Sequence, residues 1–76
     1  MKIEKIFEIF QDILDIDRNI LNLETKPSDI DEWDSMATVN IIVAIEEEFN
    51  VKFKLEEIQT LQKIKDFVEL LERYKR

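Results

Sequence analysis

The sequence predicts an all-α fold: a four-helix bundle of three main helices and one short helix, with a long loop between the first two. Three observations predict it. Apolar residues recur at helical spacing in three separate stretches. The chain has no Gly and a single Pro, which suits helices better than a turn-rich sheet. Hydrophobic residues make up 45% of the 76 residues, enough for a small core despite a charged fraction of 38%. A chain of this length makes one domain, residues 1–76.

The first helix covers about Ile3 to Leu14. Ile3, Ile6, Phe7, Phe10, Ile13 and Leu14 form one apolar stripe, with Lys2, Glu4, Lys5, Glu8, Gln11 and Asp12 off it. Ile9 falls to one flank, where it can meet the loop. Residues 15–34 show no sustained period, and Pro27 excludes a helix running through it. A connection of about twenty residues is usually functional when it is ordered. Ile16, Ile20, Leu21, Leu23, Ile30 and Trp33 give it apolar anchors. The expectation is an ordered loop with room for one short helical turn.

The second helix runs from about Ser35 to Phe49. Ile42, Ile45 and Phe49 group on one side, with Thr38 and Val39 at its edges. Met36, Asn40, Val43 and Glu47 group on the other. Two apolar residues, Met36 and Val43, thus face away from the core among polar neighbours and make a candidate partner-binding strip. Val51, Phe53, Leu55 and Ile58 alternate, but no second strand is available for pairing, so the segment reads as a loop and a short helical turn at Leu55–Gln59. Thr60 is then the expected N-cap of a last helix. That helix carries Leu61, Ile64, Phe67, Val68 and Leu71 on one face and ends near Tyr74.

Charge and composition exclude several functions. The net charge is −7, and residues 24–48 alone hold eight acids (Glu24, Asp29, Asp31, Glu32, Asp34, Glu46, Glu47 and Glu48) against one base, Lys26. That field repels nucleic acid and attracts basic protein surfaces. The bases Lys63, Lys65, Arg73, Lys75 and Arg76 gather near one end and are offset by acids. No Cys and no His are present, which closes the nucleophile, metal and thiol routes that rely on them. An EF-hand register starting at Asp15 puts Ile20 where glycine is required and Lys26 where the closing glutamate is required. One starting at Asp29 puts Trp33 and Asn40 at ligand positions. No dedicated metal site is expected. Glu46-Glu47-Glu48 is a run of consecutive residues, which do not face one another, so no paired-carboxylate catalyst is visible. Met1-Lys2-Ile3-Glu4-Lys5 lacks an apolar signal core, and no apolar run approaches membrane-spanning length. The expectation is a soluble cytoplasmic protein without membrane insertion.

Trp33-Asp34-Ser35-Met36 stands where the acidic loop gives way to the second helix. A serine hydroxyl at a helix N-terminus lies where backbone amides and the helix dipole favour a phosphate. The plain alternative is an N-cap serine with a purely structural role.

In these residues the sequence resembles an acyl carrier protein. The resemblance spans nearly the whole chain. It is sharpest in Asp34-Ser35-Met36, in Ile42-Val43-Ala44-Ile45-Glu46-Glu47-Glu48-Phe49 and in Thr60 to Leu71. It implies a single carrier domain with no catalytic residue of its own and 4′-phosphopantetheine carried on Ser35. Asp34 would be read by the modifying transferase, facing that enzyme's metal ion. Met36 takes the place of the family's usual Leu, Trp33 that of its usual Gly, and Asn40 that of an acid common early in the second helix. Asp34, Met36, Asn40, Val43, Glu46 and Glu47 form the implied partner-recognition surface. The implied partners are a phosphopantetheinyl transferase (holo carrier synthase) and acyl- or aminoacyl-activating and transferring enzymes with basic docking surfaces. A monomer suits such a shuttle. Cargo would insert between the helices, against Ile42 and Leu61. Two alternatives remain open at this point: an aminoacyl (D-alanyl or peptidyl-type) carrier, and an acidic helical adaptor whose Met36/Val43 face binds a partner without modification.

Overall fold

The computed structural model describes residues 2–74. Lys75 and Arg76 of the basic C-terminal group lie outside the described residues. Four helices follow in order: α1 (Lys2–Leu14), α2 (Ser35–Phe49), α3 (Leu55–Ile58) and α4 (Ile64–Tyr74). No strand occurs among the described residues, so the Val51–Ile58 alternation does not form one.

α1 buries Ile6, Phe7, Ile9, Phe10 and Leu14 and packs against both α2 and α4. Phe10 is the hub. Its ring meets Trp33 edge-on at 5.1 Å and Phe67 edge-on at 5.3 Å, so one aromatic side chain joins α1 to the loop and to α4. Such edge-to-face pairs add roughly 0.5–1.5 kcal/mol each beyond their burial.

The loop contains two 3-10 turns, Arg18–Ile20 and Pro27–Asp29, where the sequence left room for one. Leu21, Ile30 and Trp33 are buried anchors, and Ile16 and Leu23 pack beside them. Ile20 is the exception, 55% exposed on the first turn, because its neighbour Leu21 takes the core position. The loop is also pinned by polar groups. Thr25 is buried, and its hydroxyl accepts the Asn22 N–H at 2.9 Å. The carbonyls of Leu23 and Thr25 accept the N–H groups of Lys65 (2.9 Å) and Ile64 (3.0 Å) at the start of α4. Lys63 Nζ bonds Glu24 Oε1 at 2.8 Å across the same junction. The loop thereby satisfies amides that every helix N-terminus leaves open.

That arrangement corrects the expected start of α4. Thr60 is not its N-cap; the Thr60 hydroxyl donates to the Glu57 carbonyl and closes α3. Leu61 precedes the helix. Asp66, inside the first turn, reaches back with Oδ2 to accept the Gln62 and Lys63 N–H groups at 2.8 and 3.2 Å. With the loop carbonyls in place, no hydroxyl cap is needed.

α2 ends at Asn50, which adopts the left-handed conformation (φ 55°, ψ 52°), and α1 ends at Asp15 with φ 56°. Helix ends commonly use glycine here. This chain has none and relies on the two side chains that best tolerate the region.

Candidate functional site at the α2 N-terminus

Asp34 is the N-cap of α2. Its Oδ1 accepts the Ala37 N–H at 2.8 Å, and its own carbonyl accepts the Thr38 N–H at 3.0 Å. Ser35 is therefore the first helical residue and not the cap, which removes the structural alternative for its hydroxyl. Ser35 is exposed, and none of the hydrogen bonds that shape this turn uses its side chain.

The turn is built on Trp33. The indole is buried against Phe10 and Phe67, and its Nε1 donates to Thr38 Oγ1 at 2.8 Å. Thr38 Oγ1 in turn donates to the Asp34 carbonyl at 3.1 Å. The core thus holds residue 33, residue 33 holds residue 38, and Ser35 is carried on the outside of a braced loop. Residue 33 does not need glycine. Among the described residues only Asp15 and Asn50 have positive φ.

Met36 is 69% exposed, Val39 54% and Val43 45%. Their spacing places them on one helical face, continuous from Ser35 along α2. Val39 was expected at the edge of the core stripe. It joins the outer strip instead, because the buried face is centred on Ala37, Ile41 and Ile45, with Ile42 beside them. The signal was available: position 39 lies three residues after Met36 and four before Val43. Asn40 and Glu47 are exposed beside the strip.

Glu46 is less exposed than they are. Its side chain is only 12% exposed; Oε2 accepts the Phe53 N–H at 2.9 Å, and Oε1 lies 3.8 Å from Lys52 Nζ. This acid also braces the α2–α3 loop, because a backbone donor returning at Phe53 needs an acceptor there. Val43, Glu46, Glu47, Asn50, Val51 and Lys52 line an open notch of about 430 Å³ at this end of the strip. Among the described residues no cluster could hold a metal ion, and no helix is long and apolar enough to cross a membrane.

The family model for a phosphopantetheine attachment site matches residues 4–71. The acyl carrier protein of Solidesulfovibrio magneticus is 36% identical over 72 residues, covering 95% of this chain and 92% of that one. The chain belongs to the acyl carrier protein family. Similar, too, is the acyl carrier protein of Petrotoga mobilis, 32% identical over 68 residues and covering 90% of this chain and 80% of its own length. The solution structure of holo acyl carrier protein from Geobacter metallireducens superposes with a TM-score of 0.85. It is 35% identical and covers 95% of this chain and 83% of that one. Three main helices and one short helix are the architecture of an acyl carrier protein. The prosthetic group of the family is 4′-phosphopantetheine, and the residues here fit it: an exposed serine at the positive end of a 15-residue helix, with the neighbouring carboxylate engaged in capping. The aminoacyl and unmodified-adaptor alternatives are not favoured, since the relatives are acyl carrier proteins.

Proposed function

We propose that Ser35 is the attachment point of the 4′-phosphopantetheine arm, and that the chain is a stand-alone acyl carrier made of one domain, residues 1–76. It is a substrate of other enzymes and not itself a catalyst. The observation that carries this reading is an exposed serine at the first position of α2 whose capping duty belongs to Asp34. Once attached, the arm supplies the thiol that a chain without Cys cannot offer, and acyl groups ride on it as thioesters.

The protein's own residues do three things. Ser35 offers its hydroxyl at a helix N-terminus, where the dipole favours the phosphodiester. Asp34 divides its carboxylate between the cap and the modifying transferase, which reads the oxygen outside the Ala37 bond. Met36, Val39 and Val43 give partners an apolar strip, with Asn40 and Glu47 beside it. The surrounding acids draw in basic docking surfaces, on the transferase first and then on acyl-activating and acyl-transferring enzymes, and they raise the association rate more than the affinity. A monomer working in the cytoplasm suits this traffic. Cargo lies between the helices against Ile42, which belongs to the core, and Leu61, which packs against it.

Incubation with a phosphopantetheinyl transferase and coenzyme A tests the reading by mass. Wild type gains one phosphopantetheine and Ser35→Ala gains none; equal masses for the two would refute it. Parallel loading with acyl- and aminoacyl-activating enzymes then fixes the cargo, and acyl transfer is the expected result.

A further inference from the structure

We infer that Met36 is a reversible oxidation site through which peroxide controls the loading of Ser35. The inference rests on Ser35 being the attachment point. Three observations carry it. The chain has two Met and no Cys, so its oxidisable sulfur is thioether alone, and one of the two stands at position 36. Met36 is 69% exposed and lies outside the core cluster, so an oxidant reaches it without unfolding the protein. Trp33, the other readily oxidised side chain of this turn, is 4% exposed with its N–H bonded to Thr38, which directs attack to the sulfur.

Position decides the consequence. Consecutive Cα atoms are about 3.8 Å apart. An enzyme that closes on the Ser35 hydroxyl therefore seats against Met36 and excludes water from it. A thioether is a soft apolar contact that adapts to such a surface. A sulfoxide is polar and chiral, and burying its oxygen without a donor costs affinity.

The step is a two-electron oxygen transfer. The thioether sulfur attacks one peroxide oxygen. An S–O bond forms, the O–O bond breaks, and the leaving hydroxide takes the proton of the transferred hydroxyl, which leaves a sulfoxide and water. Sulfur is oxidised and peroxide reduced. Methionine sulfoxide reductases reverse the change with electrons from a thiol. A thioether has no proton to lose, so the reaction needs no activating base.

The test uses the full apo chain treated with hydrogen peroxide and followed by mass and by thermal melting. Met36→Leu, compared with itself before and after treatment, reports any background from Met1. Loading is then timed with a phosphopantetheinyl transferase and coenzyme A. Oxidised wild type gains one oxygen at Met36, keeps its melting curve and is loaded roughly tenfold more slowly. Reductase treatment restores the rate, and Met36→Leu keeps its own rate through peroxide. Equal rates for oxidised and untreated wild type would overturn the inference, as would equal slowing of Met36→Leu or a Met36 that peroxide leaves intact. Failure of untreated wild type to load at all is a separate result; it removes the Ser35 assignment and this inference with it.

Discussion

The Asp34 carboxylate closes the first turn of α2 through the Ala37 N–H, so its charge and its capping bond are separable by substitution. Asp34→Ala removes both and costs about 1 kcal/mol. For a domain of this size that lowers Tm by roughly 4–8 °C. Asp34→Asn keeps a cap of equal quality. Melting curves of the two variants should therefore diverge while both load slowly. Normal loading of Asp34→Asn would mean that the transferase does not read the charge. The serine and its place at a helix boundary were legible in the sequence, because the acidic loop stops and the apolar period starts at the same point. The identity of the cap was not. Asp and Ser cap about equally well, and two such residues in tandem give no local reason to prefer one. Trp33 was legible as an anchor. Its bond to Thr38 was not, since an indole N–H can find an acceptor on any neighbouring turn.

At the scale of elements, α2 has two unlike acids side by side. Glu46 braces the loop to Phe53, whereas Glu47 is exposed. Glu46→Ala leaves a part-buried N–H without its acceptor and should cost about 1–2 kcal/mol. Glu47→Lys should leave the fold intact, with Tm equal to or slightly above wild type, and slow transferase association several-fold at low salt, an effect that fades as salt rises. Helix spacing placed Glu47 correctly. The bond of Glu46 to the Phe53 N–H was not legible, because that partner comes from a loop whose path no period reports. α3 has no fully buried residue; Ile58 packs against the core, and Glu57 accepts the Lys54 N–H at 2.8 Å and the Tyr74 hydroxyl. The Tyr74 hydrogen bond, with that of Lys54 N–H behind it, holds the Glu57 carboxyl below its ordinary pKa; the Glu57 carboxylate holds the Tyr74 phenol above its own. Across the α4 junction, Lys63 lowers Glu24, and Glu24 raises Lys63. Depressed carboxyls contribute stability that is present above their unfolded pKa and lost as pH falls through the folded one. Raised Tyr74 and Lys63 contribute stability that is present below their unfolded pKa and lost as pH rises through the folded one. Thermal melts should thus be steady from about pH 6 to pH 9 and fall on the acid side below about pH 4.5. Glu57→Gln should flatten that acid limb; a limb as steep as wild type would assign it to other acids.

At the scale of the molecule, acids outnumber bases 18 to 11. Several are exposed, among them Asp31 and Glu32 just before Ser35 and Glu47 towards the far end of α2. Crowding of like charge destabilises the folded state, so moderate sodium chloride should raise Tm by screening it. A melting point indifferent to salt would show the charges to be spread too thinly to strain the fold. The radius of gyration is 11.3 Å, near the roughly 11 Å of a folded chain of this length. Compactness and the three long helices followed from apolar periodicity. The docking of the loop on α4 did not, because it runs through backbone carbonyls that carry no sequence signature. That junction joins segments about forty positions apart, late in the chain to early. The first α4 amides can exchange their hydrogens with solvent only when the distant loop lifts away, so the two should open and close as one cooperative unit. Bringing them together closes about half of the polypeptide into a ring, an entropic cost that the seam's hydrogen bonds must offset before it holds.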